Sequence, residues 1–273
     1  MASKIATLFA LFKTAEGVTD ATQVMKAAKD NKVVKAAMTS SDSVKVFTHR
    51  RLFGKVGRSL FIGFEPLGDD AKGVGYILYP GALCEAEAYA PIARDMADKG
   101  YHVAILTPPM SVAITDLLFN LTAEVLDYWK KNVVLKWVVG GHSLGGVVAS
   151  MRLGKDEDKM IKGLILMASY PNDDMSKVDA KVVSIYGSND TVMKAKYPDG
   201  VHPNEKLQIE GKDKPTLSDV LPTSAKLVEV KGGNHTQCSY VDGLQGGDTA
   251  ADCSFEYQMD IIKAETLLML SSI

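Results

Sequence analysis

Along the chain, the pattern of apolar and polar positions changes near residue 40 from one helical stretch to a regular alternation. Short apolar runs, which are typical of buried strands, are followed by longer stretches with helical spacing. The expected strands cover residues 44–48, 60–65, 74–79, 102–106, 135–139, 164–168, 182–186 and 227–230.

Helices are expected between the later strands and at the end of the chain. In the last of them, the apolar residues have the spacing of one buried helix face; they are Ile261, Ile262, Ala264, Leu267 and Leu268. The predicted helices cover residues 85–99, 115–130, 144–153 and 255–270. Strands that first follow one another directly and then alternate with helices predict an α/β fold, with a mostly parallel eight-stranded sheet and helices on both faces.

Two connecting segments bear on whether a further domain covers the sheet. Residues 170–180 are too few to form a cap domain. Residues 191–223 are polar and contain four prolines, so we expect an excursion with short helices. The chain therefore predicts a single domain over residues 41–273, with little or no cap domain.

Residues 1–40 are rich in alanine and lysine and predict a helical N-terminal extension. Thr19 or Asp20 is a suitable N-cap for a helix that runs towards Met38. The apolar stretch 5–12 lacks a convincing signal cleavage site, so it is interpreted as part of an amphipathic helix. We therefore expect a soluble protein of the cytoplasm or of an organelle rather than a secreted one.

Composition narrows the classes of partner. The chain has 273 residues, 46% of them hydrophobic and 23% charged, with a formal net charge of -2. These values suit one globular unit without a general attraction to nucleic acid. No apolar run reaches the roughly 18 residues that a transmembrane helix needs. The oligomeric state is left open.

Three cysteines, Cys84, Cys238 and Cys253, exclude a dense disulfide scaffold. Three reduced thiols are the simplest interpretation. The alternative is a bridge between Cys238 and Cys253, which bracket one glycine-rich loop.

The segment from Gly141 to Gly145 has the pattern Gly-x-Ser-x-Gly and lies between a predicted strand and a predicted helix. A serine on such a tight turn exposes its hydroxyl to substrate and lies beside the first amides of the helix. Ser143 is therefore the candidate nucleophile. An ordinary glycine-rich loop is the alternative interpretation of the same letters.

A nucleophilic serine needs a base and an orienting carboxylate at the same edge of the sheet. Asp190 follows strand 182–186 and His235 follows strand 227–230, in the expected chain order. The alternative role for Asp190 is to cap the next helix, and Asp173 and Asp174 are the alternative acids.

The remaining histidines are assigned other roles, and no metal site is expected. Neither His-Glu-x-x-His nor Cys-x-x-Cys spacing occurs, and the glycine clusters lack the phosphate-binding pattern. We expect His142 to be structural with its ring away from the serine hydroxyl, His202 to be solvated, and His49 and His102 to be structural.

Four segments together resemble the α/β-hydrolase superfamily over the chain from about residue 73 to the C-terminus. They are Tyr79-Pro80-Gly81, Gly140-Gly141-His142-Ser143-Leu144-Gly145-Gly146, Tyr186-Gly187-Ser188-Asn189-Asp190 and Gly232-Gly233-Asn234-His235. The most similar group is the cap-poor α/β-hydrolase fold-5 family, which is related to the dienelactone hydrolases. Those enzymes place a cysteine at the elbow, so Ser143 departs from their pattern.

The resemblance implies a role for each site residue. Ser143 would be the nucleophile, His235 the general base and then acid, and Asp190 the group that orients His235. The oxyanion hole would be formed by the backbone amides of Leu144 and Ala82, with Leu83 the next choice. Residues at strand ends that could contact substrate are Leu83, Tyr89, Pro109 and Met110.

Serine and histidine chemistry on this fold implies acyl transfer to water through a covalent ester. The expected function is hydrolysis of a small or medium carboxylic ester or lactone, with a small-molecule substrate and no cofactor. An acyltransferase or thioesterase would use the same residues. A ligand-binding module that keeps the hydrolase pocket is the alternative from another class.

Overall fold

A computed structural model of the chain describes residues 24–28, 30–53, 56–68, 71–130, 134–156, 159–196, 200–202, 207, 209 and 211–273. Its centre is a sheet with the strand order β1-β2-β4-β3-β5-β6-β7-β8. β2 pairs antiparallel with β1 and β4, and every other pairing is parallel. The strands are β1 Val44–Phe53, β2 Val56–Pro66, β3 Val74–Tyr79, β4 His102–Leu106, β5 Lys136–His142, β6 Ile161–Met167, β7 Lys181–Gly187 and β8 Lys226–Val230.

Helices cover both faces of the sheet, and alternate strand residues point to opposite faces. Tyr76 and Leu78 of β3 pack on one face, while Ile77 and Tyr79 pack on the other. Helices α1, α2 and α7 pack on the first face, and α4 and α5 on the second. The helices are α1 Lys32–Ala37, α2 Ala90–Ala97, α3 Asp116–Phe119, α4 Leu121–Lys130, α5 Leu144–Leu153, α6 Thr191–Lys196 and α7 Phe255–Ser271.

The predicted eight-stranded α/β fold is confirmed, and the helix boundaries differ in two places. The expected helix 85–99 begins as a 3-10 turn, Ala86–Tyr89, before α2. The expected helix 115–130 is divided at Asn120, whose φ of 52° is left-handed and ends α3. The connection 168–180 between β6 and β7 contains no helix, which leaves the carboxyl edge of the sheet without a cap from that position.

The predicted helix from Thr19 or Asp20 to Met38 is wrong at residues 24–28 and confirmed at Lys32–Ala37. Residues 24–28, here called the N-terminal strap, are extended, and the helix α1 begins only at Lys32. The side chain of Asn31 caps α1 by accepting a hydrogen bond from the amide of Val33 at 2.8 Å. Backbone bonds to other loops hold the strap extended, and these bonds outweigh the weak local preference for helix. The stretches 1–13 and 19–23 lie outside the described residues.

The strap crosses two loops at the carboxyl edge of the sheet. Met25 forms a bridge with Cys84, in the loop after β3, and Ala27 forms one with Val241, in the loop after β8. Glu85 strengthens the first contact because its carboxylate accepts from the amide of Ala27 at 3.0 Å and from Lys26 Nζ at 3.1 Å. The N-terminal strap is therefore attached to the loops after β3 and β8.

All three cysteines are free thiols. Cys84 and Cys238 are buried, and burial raises the pKa of Cys84 to about 11. Cys238 accepts a weak hydrogen bond from Gln258 at 3.5 Å, and Cys253 donates one to Gln237 at 3.9 Å. The thiols are therefore engaged separately. Over the described part of the chain, no helix combines the length and apolar character needed to cross a bilayer.

Candidate active site

Ser143 occupies a strained turn between β5 and α5. Its φ and ψ are 53° and −126°, a conformation that residues with a side chain seldom adopt and that costs on the order of 1–3 kcal/mol. Neighbouring bonds maintain it: the Ser143 amide donates to the Met167 carbonyl at 3.0 Å, and Ser169 Oγ donates to the Ser143 carbonyl at 2.6 Å. The Ser143 side chain is half-buried at the carboxyl edge of the sheet.

The two glycines of the motif allow close backbone contact. A Cβ on Gly141 would overlap the backbone of Gly145, and a Cβ on Gly145 would overlap the carbonyl oxygens of Tyr79 and Pro80. The start of α5 therefore lies directly against the end of β3. This contact brings the loop after β3 beside the serine.

Asp190 and His235 come together from the loops after β7 and β8. Asp190 Oδ2 lies 2.8 Å from His235 Nδ1, and both residues are buried. The other carboxylate oxygen, Oδ1, accepts from the amide of Met193 at 2.7 Å. Asp190 thus makes both contacts that the sequence suggested as alternatives: it bonds the histidine and it accepts a backbone bond in the first turn of α6.

The remaining nitrogen of His235, Nε2, is buried and has no hydrogen-bond partner among the described residues, Ser143 included. The His235 ring lies beside the elbow. Its centroid is 4.7 Å from that of His142, the residue that precedes Ser143. In enzymes without bound substrate, the bond between serine and base is often long or misaligned. The structure therefore joins Asp190 to His235 and leaves Nε2 without a hydrogen bond to Ser143.

Two polar side chains, not identified from the sequence, hold the histidine loop: Gln258 is buried and Asp248 is half-buried. Gln258 of α7 bonds both backbone groups of Asn234: its Oε1 accepts from the amide at 3.0 Å and its Nε2 donates to the carbonyl at 2.8 Å. Asp248 accepts from the amide of Thr236 at 2.8 Å. Gln258 is a polar residue on the buried face of a predicted helix, and that position is the sequence feature that indicates its role.

The amides near the serine differ in whether they are already bonded. Leu144 is the first residue of α5, so its amide has no acceptor within the helix. In the loop after β3, the Gly81 amide donates to Tyr89 Oη at 2.9 Å and the Leu83 amide donates to the Ser111 carbonyl at 2.7 Å. The Ala82 amide between them has no acceptor in the described structure.

The residues predicted to contact substrate occupy different environments. Leu83 and Pro109 are half-buried, and Met110 is 72% exposed. Tyr89 is fully buried with its hydroxyl engaged, so it supports the loop from below and offers no surface to a substrate.

A cavity of about 300 Å³ lies beside this loop. It is bounded by neighbours of the predicted residues, Cys84, Pro108 and Ser111, and by residues of β1 and β2. Ser143, Asp190 and His235 do not line it.

The alternative acids and bases lie elsewhere. Asp173 and Asp174 are exposed and bond their own turn, through Asn172 and Ser176. The expectation that His202 is solvated is wrong: it is 3% exposed, and its Nε2 lies 2.9 Å from the Pro171 carbonyl oxygen. The ring of His49 stacks on Phe61. Within the described ranges, no group of three or more His, Cys, Asp or Glu side chains is arranged to hold a metal ion.

Comparison with known protein families agrees with this architecture. A family model described as "Alpha/beta hydrolase family" matches residues 75–260, which is more than half of the chain. The matched range contains the elbow at Ser143 and the pair Asp190 and His235. No curated protein matches the chain in sequence.

Proposed function

Because the chain belongs to the alpha/beta hydrolase family, we propose that it is a serine hydrolase that cleaves carboxylic esters through an acyl-enzyme intermediate. The observation that carries the proposal is the 2.8 Å contact between Asp190 and His235 beside the strained Ser143. Buried Nε2 of His235 has no described partner, which suits a base that awaits a proton.

In the first step, Ser143 Oγ attacks the carbonyl carbon of the ester and His235 Nε2 takes the hydroxyl proton. Asp190 keeps the other ring proton on Nδ1 and stabilises the imidazolium that forms. The carbonyl oxygen becomes an oxyanion, which accepts hydrogen bonds from the amides of Leu144 and Ala82. One such donor contributes on the order of 100- to 1,000-fold in rate.

The tetrahedral intermediate then collapses. Its bond to the alcohol oxygen breaks, and His235 returns its proton to that oxygen, so the alcohol leaves and the acyl group stays on Ser143. A water molecule then attacks the acyl carbon, and His235 removes a proton from that water. When the second tetrahedral intermediate collapses, His235 gives the proton to Ser143 Oγ. The products are a carboxylic acid and the free enzyme.

The substrate class follows from the loops around the serine. Leu83, Pro109 and Met110 offer a partly apolar surface after β3 and β4, which suits a small or medium acyl chain. A lactone would react by the same steps, with the alcohol staying tethered to the acyl group. We therefore propose small or medium acyl esters and lactones as substrates.

Turnover of short p-nitrophenyl esters and lactones, together with labelling by a fluorophosphonate, tests the proposal. We expect the wild-type protein to hydrolyse esters and to be labelled at Ser143. Ser143→Ala and His235→Ala should each abolish both signals. Ser271→Ala, which changes an exposed serine at the end of α7, is the matched control and should behave as wild type.

Absence of both turnover and labelling in the wild-type protein would overturn the proposal. An added alcohol or thiol distinguishes related activities, since an acyltransferase transfers the acyl group to that acceptor in preference to water. A thioesterase would prefer thioesters over the matching oxygen esters. A binding module would retain the ligand without releasing an acid.

A further inference from the structure

Tyr89 and His142 form a buried pair between the loop after β3 and the nucleophile elbow. Both are 0% exposed. Tyr89 Oη lies 2.8 Å from His142 Nδ1, and it accepts a hydrogen bond from the Gly81 amide at 2.9 Å. The tyrosine comes from the 3-10 turn before α2, and the histidine directly precedes Ser143. One hydroxyl therefore connects the two segments that flank the reacting serine.

The Gly81 amide fixes the direction of one of the two hydrogen bonds of Tyr89. The Gly81 amide can only donate, so Tyr89 Oη accepts from it and has its own proton left to donate. We assign that proton to the bond with His142 Nδ1, which places the ring proton of His142 on Nε2. Burial, and next the neighbouring His235, hold the pKa of His142 well below its usual range, and burial raises the pKa of Tyr89. Both groups are therefore neutral near pH 7, as this chain of bonds requires.

The pair fixes the place of the proposed oxyanion donor. Tyr89 holds the Gly81 amide, and Ser111 holds the Leu83 amide from the other side. Ala82 lies between two anchored residues, and its amide is the one left without an acceptor in the described structure. A shift of about 1 Å in such a donor is enough to cost about 100-fold in rate.

His142 also packs against the proposed base. The centroids of the His142 and His235 rings are 4.7 Å apart, with their planes at 47°. Asp190 holds the His235 ring by its Nδ1 edge, and His142 contacts the ring. The same side chain thus touches the group that anchors the oxyanion loop and the imidazole that serves Ser143.

We propose that Tyr89 and His142 are positioning residues, which hold the Ala82 amide and the His235 ring in register with Ser143. The inference rests on the proposed serine hydrolase function and adds two residues to its machinery. Neither residue exchanges a proton with the substrate. Their loss should lower the rate of the chemical step and leave substrate binding nearly unchanged.

Tyr89→Phe tests the inference because it removes one oxygen and keeps the ring. We expect kcat for a p-nitrophenyl ester to fall about 10- to 100-fold, with KM within about twofold of wild type. Tyr76→Phe is the matched control. Tyr76 is also 0% exposed, but its hydroxyl has no hydrogen-bond partner in the described structure, so its removal should leave kcat unchanged.

A boronic acid that mimics the tetrahedral oxyanion gives a second measurement. Its affinity should fall in Tyr89→Phe by about the same factor as kcat/KM, while the affinity for the product acid stays constant.

Substitution of His142 gives an independent arm if Tyr89→Phe does not fold. Asparagine keeps an acceptor close to the position of Nδ1, whereas leucine keeps only volume. We therefore expect His142→Asn to retain kcat within about tenfold and His142→Leu to lose about 100-fold.

The possible outcomes separate the two proposals. An active wild type with equal kcat in Tyr89→Phe and Tyr76→Phe would overturn the positioning role and leave the hydrolase function standing. The same holds if KM rises as much as kcat falls, or if His142→Asn and His142→Leu are equally impaired. A wild type without turnover or labelling would overturn both.

Discussion

At the scale of single residues, the two carboxylate oxygens of Asp190 make two contacts, one structural and, under the proposed function, one chemical. Its Oδ1 holds the amide of Met193 in the first turn of α6, and its Oδ2 holds His235. The two oxygens are spatially separate, so the two roles do not compete. A substitution that keeps one oxygen and replaces the other should separate the two roles.

Asp190→Asn is that substitution. The amide oxygen can keep the bond to Met193, while the amide nitrogen would face His235 Nδ1 and force the ring proton to Nε2. A histidine protonated there cannot accept the proton of Ser143, so we expect kcat to fall by about 10³- to 10⁴-fold with little change in thermal stability. Steady-state kinetics and a thermal melt measure the two effects.

Asp174→Asn is the matched control for Asp190→Asn. Asp174 also accepts a backbone bond in a turn, from Ser176, but it is exposed and does not bond His235. It should leave kcat unchanged. If Asp190→Asn keeps more than about a tenth of wild-type kcat, the orienting role is wrong.

At the scale of elements, the N-terminal strap connects two loops that flank the site. The Met25 amide donates to the Leu83 carbonyl at 2.5 Å, and the Ala28 amide donates to the Tyr240 carbonyl at 2.8 Å. Leu83 follows the proposed oxyanion donor, and Tyr240 lies in the loop of His235. The strap therefore restrains the loop after β3 and the loop after β8 through backbone hydrogen bonds.

Glu85→Ala should loosen the strap. The carboxylate of Glu85 holds the amide of Ala27 and Lys26 Nζ, and hydrogen bonds to charged groups contribute about 1.5–3 kcal/mol each when they are shielded from water. Since the strap is at the surface, we expect a loss of about 1–2 kcal/mol in the free energy of unfolding and a lower kcat. Urea unfolding and ester turnover measure these changes.

Glu87→Ala is the matched control for Glu85→Ala. It lies two residues away in the same loop, and its side chain makes no hydrogen bond or ion pair within the described structure. It should change neither stability nor kcat. Equal effects of the two substitutions would show that the charge of the loop, and not attachment of the strap, is what matters.

The strap also shows where prediction from sequence fails at this scale. Strands and most helices follow from local apolar spacing, so β3 Val74–Tyr79, β4 His102–Leu106 and α5 Leu144–Leu153 agree with the predicted ranges. Residues 24–28 are extended because of bonds to loops some 60 and 210 residues further along the chain. No pattern within the segment encodes those partners.

At the scale of the whole molecule, buried histidines make stability depend on pH. His102, His142 and His202 are all buried, and burial is the main cause that lowers each pKa from 6.5. Below about pH 6.5 these histidines bind protons in the unfolded chain but stay neutral in the folded chain. The contribution of these histidines to the free energy of unfolding is therefore complete above pH 6.5. It decreases as the pH falls from 6.5 towards their pKa values in the folded state.

For His142 alone, the loss is up to about 1.4 kcal/mol for each pH unit below 6.5. Urea unfolding at pH 7.5, 6.5 and 5.5 measures it, in a window above the titration of ordinary carboxylates. His142→Asn should reduce the difference between pH 6.5 and 5.5. If His142→Asn shows the same difference in the free energy of unfolding between pH 6.5 and 5.5 as the wild type, His142 is not the source of the pH dependence.

The whole chain was easier to predict than the details of its site. The order of strands and motifs placed Ser143, Asp190 and His235 at one edge of the sheet, and the structure brings the last two into contact. The roles of Tyr89, Gln258 and Asp248 were not predicted, because each depends on a backbone group that its side chain meets only in three dimensions. The burial of His202 was missed for the same reason.

The strap's two sets of hydrogen bonds join parts of the chain that a ribosome makes at different times. Residues 24–28 are synthesised more than 200 residues before their partners, since Lys26 and Ala28 bond Asp242 and Tyr240. They cannot settle until those late residues have emerged. His235 emerges with the same late loop, so a nascent chain that already holds Ser143 and Asp190 still lacks its base. Under the proposed function, a growing chain therefore cannot hydrolyse an ester until the loop of His235 has been synthesised and has folded.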